Sequence, residues 1–232
     1  MLVASFPASF AGTNCYVVAP GTATECIVID PGVEVVSTLD EVIAEHRLRP
    51  VAVLLTHGHL DHTFSVAPVC GARDIPAWIH PDDRDLLADP LKGLSRDAAQ
   101  LFGGRFTFTE PDDVRPLLDG ALLSIAGLEI SVDHAPGHTP GSVMFRLPGA
   151  ADDNPETMFS GDVLFAGSIG RTDLPGGSYE RMLHSLATKC LPLDDDVVVL
   201  PGHGGATTIG AERASNPFLA QAAPLAGPSR GL

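Results

Sequence analysis

Short apolar runs recur along the chain, each bounded by Gly, Pro, Asn or Asp, and they predict β-strands. Two intervening stretches have apolar residues at helical spacing and predict helices at Glu34–His46 and Tyr179–Cys190. Because strands and helices intermix without a Pro/Ser-rich linker, we expect one layered α/β domain over residues 1–215 and an irregular tail over residues 216–232. The predicted strands are Tyr16–Ala19, Cys26–Ile29, Val51–Leu55, Ala77–Ile79, Leu122–Ile125, Leu128–Val132, Val143–Leu147, Thr157–Ser160 and Val197–Leu200.

Three of these predicted strands run into a residue type that binds metals. They are Val51–Leu55 before His57, Thr157–Ser160 before Asp162, and Val197–Leu200 before His203. In α/β proteins, functional side chains gather at the carboxyl ends of strands, where loops leave a rigid sheet. The pattern therefore predicts one shared site at those ends.

The densest group of candidate ligands lies between His57 and His62, with four candidates in six positions. His57, His59 and Asp61 have the two-residue spacing of one face of an extended chain. His62 has the wrong parity for that face, so we expect a turn, with Asp61 at the start of a short helix. Imidazoles and a carboxylate in this arrangement predict a divalent metal site.

Three further candidates follow downstream, and each lies beside a glycine: His138, Asp162 and His203. A neighbouring glycine allows the backbone to approach an ion closely. Five histidines and two aspartates are too many ligands for one tetrahedral zinc. The sequence therefore predicts two metal ions.

Charge and cysteine content restrict the partners and the compartment. The chain has 232 residues and a formal net charge of −15, which disfavours nucleic acid and anionic membranes as partners. The four cysteines form no CxxC pair and are expected to be reduced thiols. No Lys or Arg precedes Arg47, so we expect no signal peptide and a soluble cytoplasmic protein. The sequence carries no signal for oligomeric state.

The order of these motifs resembles the metallo-β-lactamase superfamily, and within it the short bacterial glyoxalase II-type thioester hydrolases. The resemblance extends from Asn14-Cys15-Tyr16 to Pro201-Gly202-His203-Gly204. It implies a four-layer αββα sandwich with the metals at one edge. By matching position it assigns His57, His59 and His138 to a first metal, Asp61, His62 and His203 to a second, and Asp162 as a bridge between them. It also places Asp30 beneath the ligand loop as a supporting residue.

The same resemblance implies a hydrolase acting on a small thioester, with S-lactoylglutathione as the first candidate substrate. Two divalent ions, zinc first and iron or manganese as alternatives, would hold a bridging hydroxide that attacks the thioester carbonyl. Asp61 is the candidate catalytic residue because it would orient that hydroxide. Arg171, in Gly170-Arg171-Thr172-Asp173, is the candidate substrate-binding residue, pairing with a substrate carboxylate.

Two departures from the family pattern keep alternatives open. Only 29 residues follow His203, and their only basic residues are Arg213 and Arg230, whereas the full-length enzymes use basic residues in a longer region to hold glutathione. The Gly-Arg-Thr-Asp string also occurs in the persulfide dioxygenases, in which a single iron would use His57, His138 and Asp162. A non-catalytic metal-binding protein is the third interpretation. True β-lactamases fit less well, because they depart from this ligand set and are usually exported.

Overall fold

The computed structural model describes residues 1–102, 107–149 and 155–226. The nine predicted strands are all present, although several begin or end a few residues away from the predicted bounds. Three further strands, at residues 2–7, 114–116 and 207–208, were not predicted. The strands are β1 Leu2–Pro7, β2 Asn14–Ala19, β3 Glu25–Ile29, β4 Arg49–Leu54, β5 Ala77–Ile79, β6 Val114–Pro116, β7 Leu122–Ile125, β8 Leu128–His134, β9 Val143–Leu147, β10 Thr157–Gly161, β11 Val198–Pro201 and β12 Thr207–Thr208.

The strands form two six-stranded sheets. The first has the order β1-β2-β3-β4-β5-β6, with antiparallel pairing from β1 to β3 and parallel pairing from β3 to β6. The second has the order β12-β11-β10-β9-β8-β7, and within it only β10 and β11 pair in parallel among the described residues. Each half of the chain therefore contributes one sheet.

Alternate residues of the central strands face two different apolar cores. In β3, Ile27 and Ile29 point into the core between the sheets, whereas Cys26 and Val28 point to the outer face of the first sheet. A strand with both faces buried needs apolar residues at consecutive positions, which explains why these strands appear as continuous apolar runs. In β9, Phe145 faces the core between the sheets and Met144 faces the outer core of the second sheet.

Helices cover both outer faces, so the layers are αββα, as predicted. The helical residues Leu39 and Val69 pack in the core outside the first sheet, and the helical residues Met182 and Leu219 pack in the core outside the second. The helices are α1 Val36–His46, α2 Leu60–Thr63, α3 Val66–Arg73, α4 Asp85–Ala88, α5 Arg96–Phe102, α6 Tyr179–Ser185, α7 Ile209–Ser215 and α8 Pro217–Ala222. Short 3₁₀ turns occupy Pro81–Asp83, Pro90–Gly93 and Ala223–Leu225, and a π-helical turn occupies Leu186–Cys190.

The predicted irregular tail is wrong for residues 217–225. Asn216 begins a helix there, because its side-chain oxygen accepts a hydrogen bond from the Phe218 backbone N–H at 2.9 Å and Pro217 occupies the first turn. Prolines suggested an irregular tail by composition, but Pro217 and Pro224 lie in the first turns of helical segments. Leu219 and Ala222 are buried against the second sheet, which stabilises the helix. Residues 227–232 of the predicted tail lie outside the described residues.

Across the three described ranges, no helix has both the length and the apolar character that are needed to cross a bilayer.

Candidate metal centre

All seven predicted ligands lie together at one end of the sandwich. The loop after β4 of the first sheet carries His57, His59, Asp61 and His62, the last two on the short helix α2. The second sheet contributes three ligands from three loops: His138 after β8, Asp162 after β10, and His203 after β11. Strands of both sheets therefore end at the same site.

His57, His59 and His138 form the first group, called here cluster one. All three side chains are buried, and their candidate ligand atoms lie within 4.8 Å of one another. His59 Nδ1 and His138 Nε2 are 2.8 Å apart. Cluster one is therefore a buried set of three imidazoles that converge on one point.

Asp61, His62 and His203 form the second group, called here cluster two. His62 Nε2 lies 3.3 Å from His203 Nε2, and both nitrogens approach Asp61 Oδ2, at 3.5 and 3.3 Å. The Asp61 and His203 side chains are 21% and 26% exposed, whereas His62 is buried. Cluster two therefore forms the solvent-facing side of the centre.

Asp162 lies between the two clusters. Its Oδ2 is 3.5 Å from His138 Nε2 in cluster one and 3.4 Å from His203 Nε2 in cluster two. Its Oδ1 is 3.4 Å from His62 Nε2. One carboxylate thus contacts both groups of imidazoles, which is the position that a bridging ligand requires.

The hydrogen bonding of the site fits cations. His57 Nε2 and Asp162 Oδ1 are buried and have no hydrogen-bond partner among the described residues. Leaving a buried polar atom unpaired costs roughly 1–3 kcal/mol, so two such atoms at one site indicate a missing partner. Imidazoles and carboxylates in two adjacent sets are a donor set that holds divalent cations.

Most of the imidazoles are also held from behind by their outer nitrogens. His138 Nδ1 lies 2.7 Å from the Arg171 backbone oxygen, and His203 Nδ1 lies 3.2 Å from the Ala11 backbone oxygen. His62 Nδ1 lies 2.9 Å from Asp30 Oδ2. Such contacts fix the ring orientation and favour the tautomer whose inner nitrogen has a free lone pair.

Asp30 lies beneath the ligand loop, where the sequence resemblance placed it. It adopts the left-handed φ of 50° at the end of β3, so the chain turns sharply and its carboxylate points under the loop. Its Oδ1 accepts the Thr56 N–H at 2.8 Å, and its Oδ2 accepts the Thr56 hydroxyl at 2.6 Å. This buried carboxylate joins the end of β4 to the His62 ring.

Gly202 is required by close packing at the centre. A Cβ at this position would overlap Asp162 Oδ1 and would lie 2.8 Å from His62 Cε1. The backbone of the loop after β11 therefore lies closer to the ligands than a residue with a side chain would permit.

The electrostatics of cluster one favour neutral imidazoles. Burial, reinforced by the neighbouring histidines, lowers the pKa of His57 well below its ordinary value. The same causes, burial and then His138, lower the pKa of His59 to about 3. Both rings are therefore uncharged at neutral pH, which is the form that binds a metal ion.

Cluster two has the opposite charge preference in the absence of an ion. Burial lowers the pKa of His62, but Asp61, Asp162 and Asp30 outweigh burial and raise it well above its ordinary value. Burial is likewise outweighed at His203, whose hydrogen bonds to Asp162 and Asp61 raise its pKa to about 9. Burial raises the pKa values of Asp61 and Asp162, yet the cationic imidazoles outweigh it and hold both below their ordinary range. Protons therefore occupy cluster two when no ion does.

The predicted substrate-binding residue, Arg171, has a different set of contacts from the one expected. Its guanidinium is exposed and bonds to Asp173 at 2.7 and 2.8 Å, which lowers the pKa of that carboxyl to about 2. Its backbone oxygen accepts the His138 ring N–H. The role of the side chain in substrate binding stays a prediction.

Sequence reasoning missed Thr13, whose hydroxyl donates to Asp61 Oδ2 at 2.9 Å. Thr13 is fully buried and forms an isolated β-bridge with His203, so it contacts two residues of cluster two. Its distance of 48 positions from Asp61 left no local pattern that could have identified it.

Comparison with known proteins gives a consistent family. The family model described as the metallo-beta-lactamase superfamily matches residues 8–203. An uncharacterized Mycobacterium tuberculosis protein is 48% identical over 220 residues, covering 94% of this chain and 98% of its own. The hydroxyacylglutathione hydrolase GloC of Haemophilus influenzae is 38% identical over 192 residues, covering 83% of this chain and 86% of its own.

Solved structures show the same fold. BLEG-1 B3 metallo-beta-lactamase has a TM-score of 0.82 and 38% identity, covering 94% of this chain and 99% of its own. TTHA1623 in a di-iron-bound form has a TM-score of 0.75 and 37% identity, covering 94% of this chain and 100% of its own. ETHE1 from Myxococcus xanthus, at 22% identity and a TM-score of 0.74, covers 99% of this chain and 93% of its own and shows the fold alone.

Proposed function

The chain belongs to the metallo-β-lactamase superfamily, and from this premise we propose that it is a dinuclear metallohydrolase that cleaves a small thioester, in the manner of glyoxalase II. One observation carries the proposal: two complete ligand clusters lie side by side and share Asp162. The similarity to GloC, a hydroxyacylglutathione hydrolase, supports the thioester as the substrate class.

His57, His59 and His138 would hold one ion, Asp61, His62 and His203 the other, and Asp162 both. Divalent ions in such clusters supply a water of near-neutral pKa and polarise a carbonyl oxygen. Zinc is our first candidate, and the di-iron form of the relative TTHA1623 keeps iron as an alternative.

The residues of the chain itself would position the reactants. Asp61, fixed by the Thr13 hydroxyl, would accept a hydrogen bond from the attacking water and orient it. Thr13 would keep the Asp61 carboxylate on the exposed side of the centre, where substrate arrives. A thioester suits this arrangement because an ordinary thiol has a pKa of about 8.5, so a thiolate leaves without needing protonation.

The nature of the thiol carrier depends on the C-terminal region. Arg213 donates to the Leu191 and Leu193 backbone oxygens at 3.0 and 2.6 Å and pairs with Asp195. These contacts tie Arg213 to the turn before β11, so it is engaged in the structure of the domain. We therefore expect weaker discrimination between glutathione and other thiol carriers than a dedicated glutathione site would provide.

A mononuclear iron dioxygenase would use only His57, His138 and Asp162. It would give no ligand role to Asp61, His62 and His203, which converge within 3.5 Å of one another. The likeness to ETHE1 concerns the fold alone. Thioester hydrolysis therefore accounts for more of the site.

A β-lactam is a second candidate substrate, because BLEG-1, 38% identical to this chain, is described as a B3 metallo-beta-lactamase. Both substrates present an acyl carbonyl to the attacking water. A β-lactam nevertheless releases an amine, which needs a proton that a departing thiolate does not.

The decisive experiment measures metal content and turnover in one preparation. The protein is expressed with zinc, iron and manganese all supplied, and the metals per chain are determined by elemental analysis. S-lactoylglutathione and an acyl-coenzyme A thioester are assayed by thiol release, a chromogenic cephalosporin by absorbance, and glutathione persulfide by oxygen uptake. We expect two ions per chain and thioester hydrolysis faster than the other reactions. A single iron with oxygen uptake on persulfide would contradict the proposal.

A further inference from the structure

The segment between β5 and α5 contains a buried carboxylate that belongs to neither cluster. Asp83 ends the 3₁₀ turn Pro81–Asp83, has 0% exposure, and lies in the core of the protein beside the ligand loops. Burying a carboxylate costs several kcal/mol unless hydrogen bonds compensate for the lost water. Its contacts therefore indicate what it does.

Asp83 accepts three hydrogen bonds, and they come from two different ligand loops. Its Oδ2 accepts the Gly58 backbone N–H at 2.9 Å, between His57 and His59. The same oxygen accepts the Thr139 hydroxyl at 2.6 Å, next to His138. Its Oδ1 accepts the Gly141 backbone N–H at 2.7 Å. One carboxylate thus joins the loop after β4 to the loop after β8.

Close packing reinforces this link. A Cβ on Gly141 would lie 2.6 Å from Asp83 Cγ, so the loop backbone reaches the carboxylate only because this residue is glycine. The Thr139 hydroxyl also lies 2.8 Å from Ser142 Oγ, which ties the same loop to itself. The His138 loop is therefore held against Asp83 along several residues.

Both loops that Asp83 joins carry ligands of cluster one. Asp30, which is also a buried carboxylate outside the two clusters, contacts His62 of cluster two directly. We propose that Asp83 is a positioning residue for cluster one: it sets the distance of His57 and His59 from His138 and thereby the affinity of that cluster for its ion. This inference rests on the proposed metal centre.

An asparagine at position 83 has nearly the same shape but cannot make the same bonds. Its side chain has one acceptor oxygen and one NH₂ donor, whereas Gly58 and Gly141 each present an N–H that can only donate. In either orientation the amide nitrogen opposes one backbone N–H. Asp83→Asn should therefore break at least one of the three bonds that link the two loops while it keeps the packing of the side chain.

The experiment titrates metal-free variants with Co²⁺, following the visible absorption of the bound ion and competition with a chelator. In a His203→Ala background, cluster one is the only intact cluster, and adding Asp83→Asn should weaken the remaining ion by about 10- to 100-fold. It should also change the absorption of that ion. In a His59→Ala background, the ion that cluster two holds should keep its affinity when Asp83→Asn is added.

Glu212→Gln is the matched control. Glu212 is also a buried carboxylate that accepts three hydrogen bonds, from Gly167, Thr207 and Asn216, away from the loops that carry cluster one. In the His203→Ala background it should lower thermal stability without weakening the ion. If Asp83→Asn proves too unstable to purify, Thr139→Val removes one of the three bonds and should weaken the same ion by a smaller factor.

Several outcomes would overturn the role of Asp83. They are equal weakening in both backgrounds, equal weakening by Glu212→Gln, or wild-type affinity and spectrum in Asp83→Asn. A wild-type chain that binds no Co²⁺ at all would instead contradict the proposed function. The wild-type titration therefore separates failure of the metal centre from failure of the positioning role.

Discussion

Cluster one consists of three histidines, whereas cluster two consists of two histidines and an aspartate, and the histidines of the two clusters differ in charge. Cluster one has three buried imidazoles, and burial lowers the pKa of His59 to about 3. Cluster two places its imidazoles against carboxylates, which raise the pKa of His203 to about 9 despite its partial burial. Two residues of the same type therefore differ in protonation at neutral pH because the groups around them differ.

This difference implies an order of metal uptake. An ion entering cluster one meets the His57 and His59 rings already neutral, whereas an ion entering cluster two must displace protons from His62 and His203. We therefore expect cluster one to bind first and cluster two to bind with proton release. The following experiments break or sharpen this comparison.

The largest effect is expected for Asp162→Ala, because Asp162 contacts both clusters. Removing it takes one proposed ligand from each of the two ions, so bound metal should decrease and turnover of the thioester should fall by about 10³-fold or more. Elemental analysis and thiol-release assays measure the two effects. Retained turnover would contradict the bridging position.

Single ligand deletions should separate the clusters. His59→Ala should remove the tightly bound ion of cluster one, and His203→Ala should remove the ion of cluster two, with at least about 10²-fold loss of turnover in each case. Titration of each metal-free variant should then show a single binding event. Two events in either variant would mean that the clusters are not separate sites.

Metal affinity should depend on pH in cluster two and not in cluster one. The pKa of His203 is raised to about 9, so between pH 6 and 9 its ring must lose a proton to bind, and affinity should rise by about tenfold per pH unit for each proton released. The pKa of His59 is near 3, so that ring is neutral throughout this range. Calorimetric titration in buffers of different ionisation enthalpy counts the protons. If both clusters released the same number of protons on binding an ion, the proposed difference in pH dependence between them would be wrong.

A smaller effect is expected for Thr13→Val, which has nearly the same shape but lacks the hydroxyl that donates to Asp61. The ion of cluster two should bind about tenfold more weakly, and the ion of cluster one should be unaffected. Thr13→Ser keeps a hydroxyl and should restore most of the affinity. If valine and serine behave alike, the hydrogen bond to Asp61 has no role.

The smallest effect is expected for His184→Ala. His184 is an exposed residue of α6 on the outer layer of the second sheet, and it belongs to neither cluster. Metal content and turnover should match the wild type, and the free energy of unfolding should change by no more than about 0.5 kcal/mol. A loss of metal here would show that histidine substitutions perturb the centre non-specifically.

The sequence alone predicted the central strands and the seven candidate ligands. Strands with both faces buried must be apolar at consecutive positions, so runs such as Cys26–Ile29 and Val143–Leu147 stand out from their surroundings. The edge strand β1 was missed although its exposure alternates, because a partly exposed edge carries a weaker apolar signal. The helix after Asn216 was missed because its prolines are typical of an irregular tail.

Only the tertiary structure decided how those ligands differ. Residue types and short spacings can be recognised from the sequence. The sequence therefore predicted an ion-binding loop at His57–His62 and three further candidate ligands downstream. The contacts of Thr13 with Asp61, of the Arg171 carbonyl with His138, and of Asp83 with two loops join positions that lie 25 to 58 residues apart. The charges of His59 and His203 follow from burial and from neighbouring side chains, and both are set only when the two sheets pack together.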